Sequence, residues 1–504
     1  MRLKILRIMV SLVIALPIGQ SVSAAQYLAR VSVTVEPMGR VIPKDFTGFS
    51  IEQYDGAKRY LGVPSSPNLV FYQLLKNLGT GTIRLGGNSS DECCWEPSKA
   101  PQPRGCHYTI TPAAVEGFAK ASAETSWGII VGVNLAQNSA SWALPYGVAV
   151  ARAFRRVPGG KLLGFEFGNE PEFFPDNTFF EKTKYRPDPY PWQSLLKDWI
   201  PYVSAFKTNA ETAAVPLYGP SFEGTELYRI NSSLASWLEG VGPGNISVLT
   251  VHGYPATDDC VKGQEKVTIP LLLSSSLSQD DAWIAEARMW VETARRYGLP
   301  LQLDETNTFG CGGGEGVANV FASTVWGLDW LFTNFELGMF RVNIHMGNEA
   351  IINPVTVAPT AAADGTVSYA NSVAPMYYAM YTFANLAEGN SLLPTSIQPW
   401  ANVKAYAVRF SDSSPVRVFL INKDLEAKGK VKIYLSQRMG EASVMFVKAP
   451  GLSSKEVSFG GARFDEKTGL LSGVPTTASL SPDSRGNYIV DLPNASIAVV
   501  TINP

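Results

Sequence analysis

Histidine, cysteine and net charge are all scarce in this chain. Three histidines and five cysteines in 504 residues leave little material for a metal centre. His107, His252 and His345 are scattered, and no paired Cys-x-x-Cys set is present. A formal charge of −2 removes the sequence-independent attraction on which nucleic-acid or anionic-membrane binding rests. The glycine-dense run Gly310–Gly316 has no lysine to meet a phosphate, so a nucleotide loop is excluded and no cofactor is expected. No charge run or low-complexity tract marks disorder. Beyond the N-terminus no apolar run is long enough to span a bilayer. Residues 1–25 stand apart: Arg2, Lys4 and Arg7 precede the apolar Ile8–Ile18, and Ser21-Val22-Ser23-Ala24 follows. This is the pattern of a secretory signal peptide, with a retained anchor as the alternative, and the expected mature protein is secreted or periplasmic.

Five cysteines are an odd number for an oxidising compartment. Cys93, Cys94 and Cys106 share one loop, and Cys260 and Cys311 lie in two others. A bridge from Cys93 or from Cys94 to Cys106 and another joining Cys260 to Cys311 are both compatible with these positions, and the connectivity stays open. Asn231-Ser232-Ser233 and Asn245-Ile246-Ser247 are glycosylation sequons if the host is eukaryotic.

What the chain does have is a regular alternation of apolar strand and amphipathic helix. Strands are expected at Phe46–Glu52, Gly81–Gly86, Trp127–Leu135, Leu162–Gly168, Val215–Pro220, Ile246–His252, Leu299–Glu305 and Phe340–His345. Helices are expected between them, among others at Val115–Glu124, Trp192–Glu211, Asp281–Tyr297 and Val317–Glu336. Eight such units are the count for a (β/α)8 TIM barrel, with a doubly wound open sheet as the alternative. From about Glu388 short alternating strands separated by Gly, Pro, Ser and Asp indicate a β-sandwich. The expected organisation is a signal peptide over 1–25 and, over 26–44, a strand joining the sandwich. A catalytic barrel follows over 45–387 and a C-terminal β-sandwich over 388–504.

Two short strings carry the chemistry. Gly168-Asn169-Glu170-Pro171 and Leu303-Asp304-Glu305-Thr306-Asn307 each close an apolar strand, the fourth and the seventh. Barrel active sites lie at strand C-terminal ends, so both glutamates arrive on the active face. A pair of carboxyls there is what glycoside hydrolysis requires. With Phe46-Thr47-Gly48-Phe49-Ser50-Ile51-Glu52, Arg84-Leu85-Gly86-Gly87-Asn88, Gly316–Ala322 and Trp326–Trp330, these strings resemble glycoside hydrolase family 79, the β-glucuronidase and heparanase group. The resemblance covers nearly the whole mature chain and implies a (β/α)8 barrel with a C-terminal β-sandwich.

The resemblance implies that Glu170 is the general acid/base and Glu305 the nucleophile of a retaining mechanism, for which the carboxyls must lie about 5–5.5 Å apart. Glu170 is expected to be protonated at rest, its pKa raised by its negative neighbour. Asn169 resembles the residue that hydrogen-bonds the sugar 2-hydroxyl, with a buried structural amide as the alternative, and Tyr254 the one that orients the nucleophile, with core packing as the alternative. Glu52 is either an acceptor for sugar hydroxyls or a plain strand-end charge. Arg84 either holds Glu305 ionised or pairs with a structural acid. His252, Asn88 and Asn134 lie on the active face, and Trp95, Trp142 and Tyr146 offer flat faces either to sugar rings or to the core. The expected partner is a carbohydrate or glycoconjugate. For a glucuronide, the resemblance implies backbone amides and a tyrosine in the loop after the nucleophile and another tyrosine after strand eight. This chain keeps Gly310 and Gly312 but has neither tyrosine, the first later one being Tyr369, and Glu349 adds a carboxylate there. A neutral β-glycoside therefore competes as substrate, and a non-catalytic carbohydrate-binding protein is the reading from another class.

Overall fold

The computed structural model describes residues 27–98, 106–176, 183–223, 234–255, 268–274, 281–310, 312–347 and 350–504. The signal-peptide segment, Cys260, Cys311, the Asn231 sequon and Glu349 lie outside them. Eight strands close into a barrel: Thr47–Glu52, Thr82–Gly86, Gly128–Val133, Leu162–Phe167, Leu217–Glu223, Val248–His252, Leu301–Thr306 and Arg341–Met346, here numbered one to eight. Strand eight pairs in parallel with strand one, from Val342 opposite Thr47 to Met346 opposite Ile51, and this closure rules out the open sheet. The strands are buried on both faces because side chains, several of them polar, fill the barrel on one side and helices cover the other.

The surrounding helices follow local rules. Pro112–Thr125 starts with the Thr111 hydroxyl accepting from the Ala114 amide and with proline in its first turn. Trp192–Thr208 ends three residues short of the expected Glu211, the C-cap amide of Asn209 closing onto the Ala205 carbonyl. Phe321–Leu337 starts four residues later than expected and is buried almost all round, because it lies between the barrel and the sandwich. Two connections depart from a simple strand–helix alternation. Strand one runs into a short turn of helix, Gln53–Asp55, and then Gly56–Tyr60. After strand eight a hairpin, Val355–Ala361 with Val367–Val373, precedes helix Pro375–Leu386.

The C-terminal region forms a seven-stranded sheet stacked on a four-stranded one. Tyr27–Val33 lies inside the smaller sheet, antiparallel to Thr395–Pro399 and parallel to Gly429–Leu435. A separate apolar cluster, including Val31, Val418, Ile433 and Val500, fills the space between the sheets. The other face of the larger sheet contributes Tyr406, Phe419, Ile421 and Val499 to the core of the barrel, so one apolar body spans both regions.

A buried ion pair crosses that junction. Lys423 Nζ lies 2.8 Å from Asp329 Oδ2, both side chains are wholly buried, and the Tyr406 hydroxyl donates to Asp329 Oδ1 at 2.6 Å. Burial pushes the Asp329 carboxyl up, but Lys423 and Lys404 outweigh it and hold the group below its usual value. Lys423→Met strands that carboxylate and is expected to cost about 3–5 kcal/mol in urea unfolding. Most of the loss should return in Lys423→Met/Asp329→Asn, and a cost below about 1 kcal/mol for the single variant would show that the pair is not needed.

Candidate active site

The peptide backbone places the two glutamates before any side chain does. Strand four ends at Phe167, and Gly168 turns the chain with φ +79°, where an added Cβ would press on Leu135 at 3.0 Å. Glu170 itself has φ 44° and ψ 55°, a left-handed conformation that costs a residue with a side chain of order 1–3 kcal/mol. It is held there by its amide donating to the Ser221 carbonyl at 3.1 Å and by Pro171 starting a 3₁₀ turn. Across the barrel the pairing of strand seven shifts register between the partners of Val251 and His252, and again between Leu303 and Thr306. This bulge releases Asp304 and Glu305 from strict alternation, so both adjacent carboxyls face the buried charge cluster.

One carboxylate oxygen of Glu170, one of Glu305 and one ring nitrogen of His252 lie within 4.8 Å of one another. That spacing falls with the short separation of retaining enzymes, well below the roughly 6.5–9.5 Å needed to fit a water between the carboxyls. The three groups also have the composition of a cation site. Glu305 is already satisfied by a guanidinium, and Glu170 and His252 share a hydrogen bond, so the set is better described as an acid/base pair with its supports.

Arg84, on strand two and wholly buried, organises the floor. Its Nε donates to Glu166 Oε2 at 2.6 Å, its Nη1 to Glu305 Oε2 at 2.7 Å and Ser50 Oγ at 3.1 Å, and its Nη2 to Asn169 Oδ1 at 2.9 Å. Both sequence alternatives for this arginine therefore hold together. Tyr254 donates to the other oxygen of Glu305 at 2.8 Å, and His345 Nδ1 lies 3.3 Å from Glu305 Oε2. His252 Nδ1 lies 2.7 Å from Glu170 Oε1. Asn169 uses its carbonyl on Arg84 and one N–H on Asn88 Oδ1 at 2.9 Å, which leaves its second N–H for a sugar hydroxyl. Glu52 accepts from the Ser89 amide at 2.9 Å and lies 3.9 Å from His345 Nε2. It packs so closely on Gly87 that a Cβ there would sit 2.4 Å from its carboxyl carbon.

The two glutamates ionise in opposite directions. Burial, then the charges of Glu305 and Glu223, push the Glu170 carboxyl well above its usual range. Burial also opposes ionisation of Glu305, but His345, His252, Arg84 and the Tyr254 hydrogen bond outweigh it and hold that carboxyl down to about 2. His252 is pushed down to about 4, by burial first, so its imidazole is neutral near pH 7. A pocket that keeps one carboxyl protonated and its neighbour ionised is equipped for acid catalysis beside nucleophilic attack.

Other residues singled out in the sequence fall elsewhere. Asn134 is a structural amide, donating to the carbonyls of Asp91 and Cys93 at 2.6 and 3.1 Å. Trp95, Trp142 and Tyr146 line a separate cavity with Gln53 and Cys93. Gly310 and Gly312 make no hydrogen bond to the carboxyl pair, and Gly312 takes φ 86° with its carbonyl accepting from Ile351. Cys94 bridges Cys106, and Cys93 is buried and free. Sequence reasoning missed Ser50, Glu166, Asp304 and His345. For Glu166 and Asp304 a signal was available: a charge within an apolar parallel strand must find a partner inside the barrel.

Residues 405–499 match the family model described as the glycosyl hydrolase family 79 C-terminal beta domain. A β-glucuronidase of Aspergillus niger is 25% identical over 401 residues, 75% of this chain and 71% of that protein. One of Neurospora crassa is 27% identical over 416 residues, with 75% and 71% covered. Among solved structures, a 4-O-α-L-rhamnosyl-β-D-glucuronidase from Fusarium oxysporum aligns with a TM-score of 0.71 at 19% identity, over 93% of this chain and all of the other. A family 51 arabinofuranosidase from Xanthomonas axonopodis pv. citri gives 0.64 at 13% identity, over 95% and 100%. These two share the fold. Residues 405–499 thus carry the family 79 C-terminal domain, and the chain, similar in sequence to these β-glucuronidases and built on the same barrel-and-sandwich architecture, is a retaining glycoside hydrolase.

Proposed function

We propose that this hydrolase cleaves β-glucuronides, with Glu305 as nucleophile and Glu170 as acid/base. The observation that carries the assignment of roles is the pair of carboxyls within 4.8 Å, one held protonated and one ionised. Glu305 attacks the anomeric carbon while Glu170 protonates the departing glycosidic oxygen, and a covalent glycosyl-enzyme forms. Its formation removes the Glu305 charge that raised Glu170, so Glu170 persists as a carboxylate able to take a proton from the incoming water. Water then displaces Glu305, and two inversions leave the configuration unchanged. Following the anomer released at early times by proton NMR tests this, and an inverted first product would refute it.

The glucuronide is supported by the names of the two sequence relatives. A neutral β-glycoside is favoured by a different observation: Glu52, Glu223 and Glu170 surround the site, and Arg84 is fully engaged by its own partners. A second carboxylate there meets like charge in a partly desolvated pocket. Initial rates on nitrophenyl β-glucuronide and β-glucoside separate the two, and a tenfold preference for the glucoside removes the uronate.

Turnover requires Glu305 ionised and Glu170 protonated. As pH falls, activity should hold until His252 gains its proton near pH 4, and should be lost by the time Glu305 gains its own near pH 2. As pH rises, activity should fall when Glu170 loses its proton, at a pH above the usual carboxylate range. A profile of kcat/KM against pH with its basic limb below pH 5 would contradict the assignment. Export is proposed on the basic-then-apolar start of the sequence, and the Cys94–Cys106 bridge suits an oxidising compartment.

A further inference from the structure

Beneath the two glutamates lies an acid that the reaction outlined above does not use. Asp304, immediately before Glu305, is wholly buried. Three carboxyls converge on the single guanidinium of Arg84. Glu166 and Glu305 hydrogen-bond to it at 2.6 and 2.7 Å, while Asp304 Oδ2 lies 3.5 Å from Nε. Asp304 is therefore the surplus charge, and an uncompensated carboxylate at such a site lowers its free energy by taking a proton. Its other oxygen, Oδ1, lies 3.6 Å from His252 Nε2. Neither of these facing atoms has a closer donor–acceptor partner among the described residues, while the Asp304 and Glu166 carboxyls lie within hydrogen-bond reach of each other, a contact that also favours a proton on Asp304. The opposite nitrogen of the same ring is the one 2.7 Å from Glu170. A continuous line thus runs from a buried carboxyl, through one imidazole, to the acid/base.

We propose that Asp304 is a positioning residue for the reaction. As a neutral carboxylic acid it faces His252 Nε2, so that the imidazole is the tautomer protonated on Nδ1 and donates to Glu170 Oε1. The consequence is a division of labour between the two oxygens of Glu170. Oε1 always accepts from the imidazole, which leaves Oε2 to carry the proton given to the glycosidic oxygen and later regained from water. No proton passes through His252, and the ring is neutral throughout. The opposite tautomer, with Nε2–H pointing at an ionised Asp304, would have Glu170 donating its proton into the ring instead of toward substrate. The groups facing Asp304 are Arg84 on strand two, Glu166 on strand four, His252 on strand six and Glu305 beside it. Burial and the Glu166 charge push the Asp304 carboxyl well above its ordinary value, in the same direction as this charge count.

The inference rests on Glu170 being the acid/base, but its first test does not involve turnover. Ring-nitrogen NMR on the full-length enzyme labelled with ¹⁵N-histidine reports the tautomer directly. With only three histidines in the chain, His107→Gln and His345→Gln assign the signals. The expected result is a neutral His252 protonated on Nδ1 near pH 7, and protonation on Nε2 would overturn the proposal. The second test compares Asp304→Asn with Asp304→Leu. The amide keeps a neutral donor of the same shape, so kcat should stay within about threefold and the basic limb of the pH profile should not move. Leucine cannot donate, and kcat should fall at least tenfold with KM little changed. A basic limb displaced downward by one pH unit or more in Asp304→Asn would show that position 304 carries a charge, and the proposal would fail.

Discussion

Glu305→Gln is expected to lose essentially all turnover, by on the order of 10⁴-fold or more, while still binding sugar. Glutamine has the shape of glutamate, and its carbonyl can still accept from Tyr254 or Arg84, so the pocket should keep its form. What it lacks is a charged oxygen able to bond to the anomeric carbon. Arg84 keeps Glu166 as a partner at 2.6 Å, which limits the structural cost of removing one of its carboxylates. Steady-state rates on an aryl β-glycoside, with product binding by calorimetry as the control for folding, make the check. Turnover within tenfold of the parent would mean that the carboxyl on strand seven is not the nucleophile.

Glu170→Ala should behave differently because the residue serves two steps. The loss in kcat is expected to be on the order of 10²–10⁴-fold, the usual worth of general acid/base catalysis. It should depend on the leaving group. A nitrophenolate departs without help, so the first step survives and the glycosyl-enzyme accumulates for want of a base to activate water. A stopped-flow burst of nitrophenolate close to one equivalent of enzyme is the expected signature. An alkyl glycoside, whose oxygen must be protonated to leave, should show no burst and the largest loss. Equal losses for both substrates would remove the acid/base role from Glu170. Alanine carries the same Cβ as glutamate, so the left-handed backbone at φ 44° costs the variant no more than the parent.

Much of the architecture was legible because it rests on repetition. Strand–helix alternation placed all eight barrel strands within two or three residues of where they lie, and closure from Val342 to Thr47 then followed. The elements that escaped are those without a period: the turn Gly56–Tyr60, and the hairpin before Pro375–Leu386, whose pairing no local pattern announces. The helix expected among the amphipathic ones at Val317–Glu336 lies at Phe321–Leu337 and is buried almost all round, because a second region packs on it.

At the site, Glu170 and Glu305 could be proposed from the chain itself, because two carboxylates at the ends of two apolar strands of one barrel are the pair that glycoside hydrolysis needs. Tyr254 followed from the family resemblance and does meet Glu305. Their supports could not be ranked in advance. Alternation along a strand sends consecutive residues to opposite faces, so Asp304 and Glu305 should not serve one cluster, and only the bulge in strand seven brings them together. The choice between Cys93 and Cys94 as the partner of Cys106 was likewise beyond any local rule, because both are adjacent on one short strand and only the direction of each side chain separates them.

The sequence alone determined that this is an eight-fold strand–helix protein with a β-sandwich and an acid at the tip of strands four and seven, because periodicity and strand ends are local properties. The tertiary structure decided which charge each acid carries. Arg84, His252, His345 and Glu166 reach the cluster from four different strands, and electrostatic energy in a buried site depends on distances across the barrel that no stretch of chain encodes by itself.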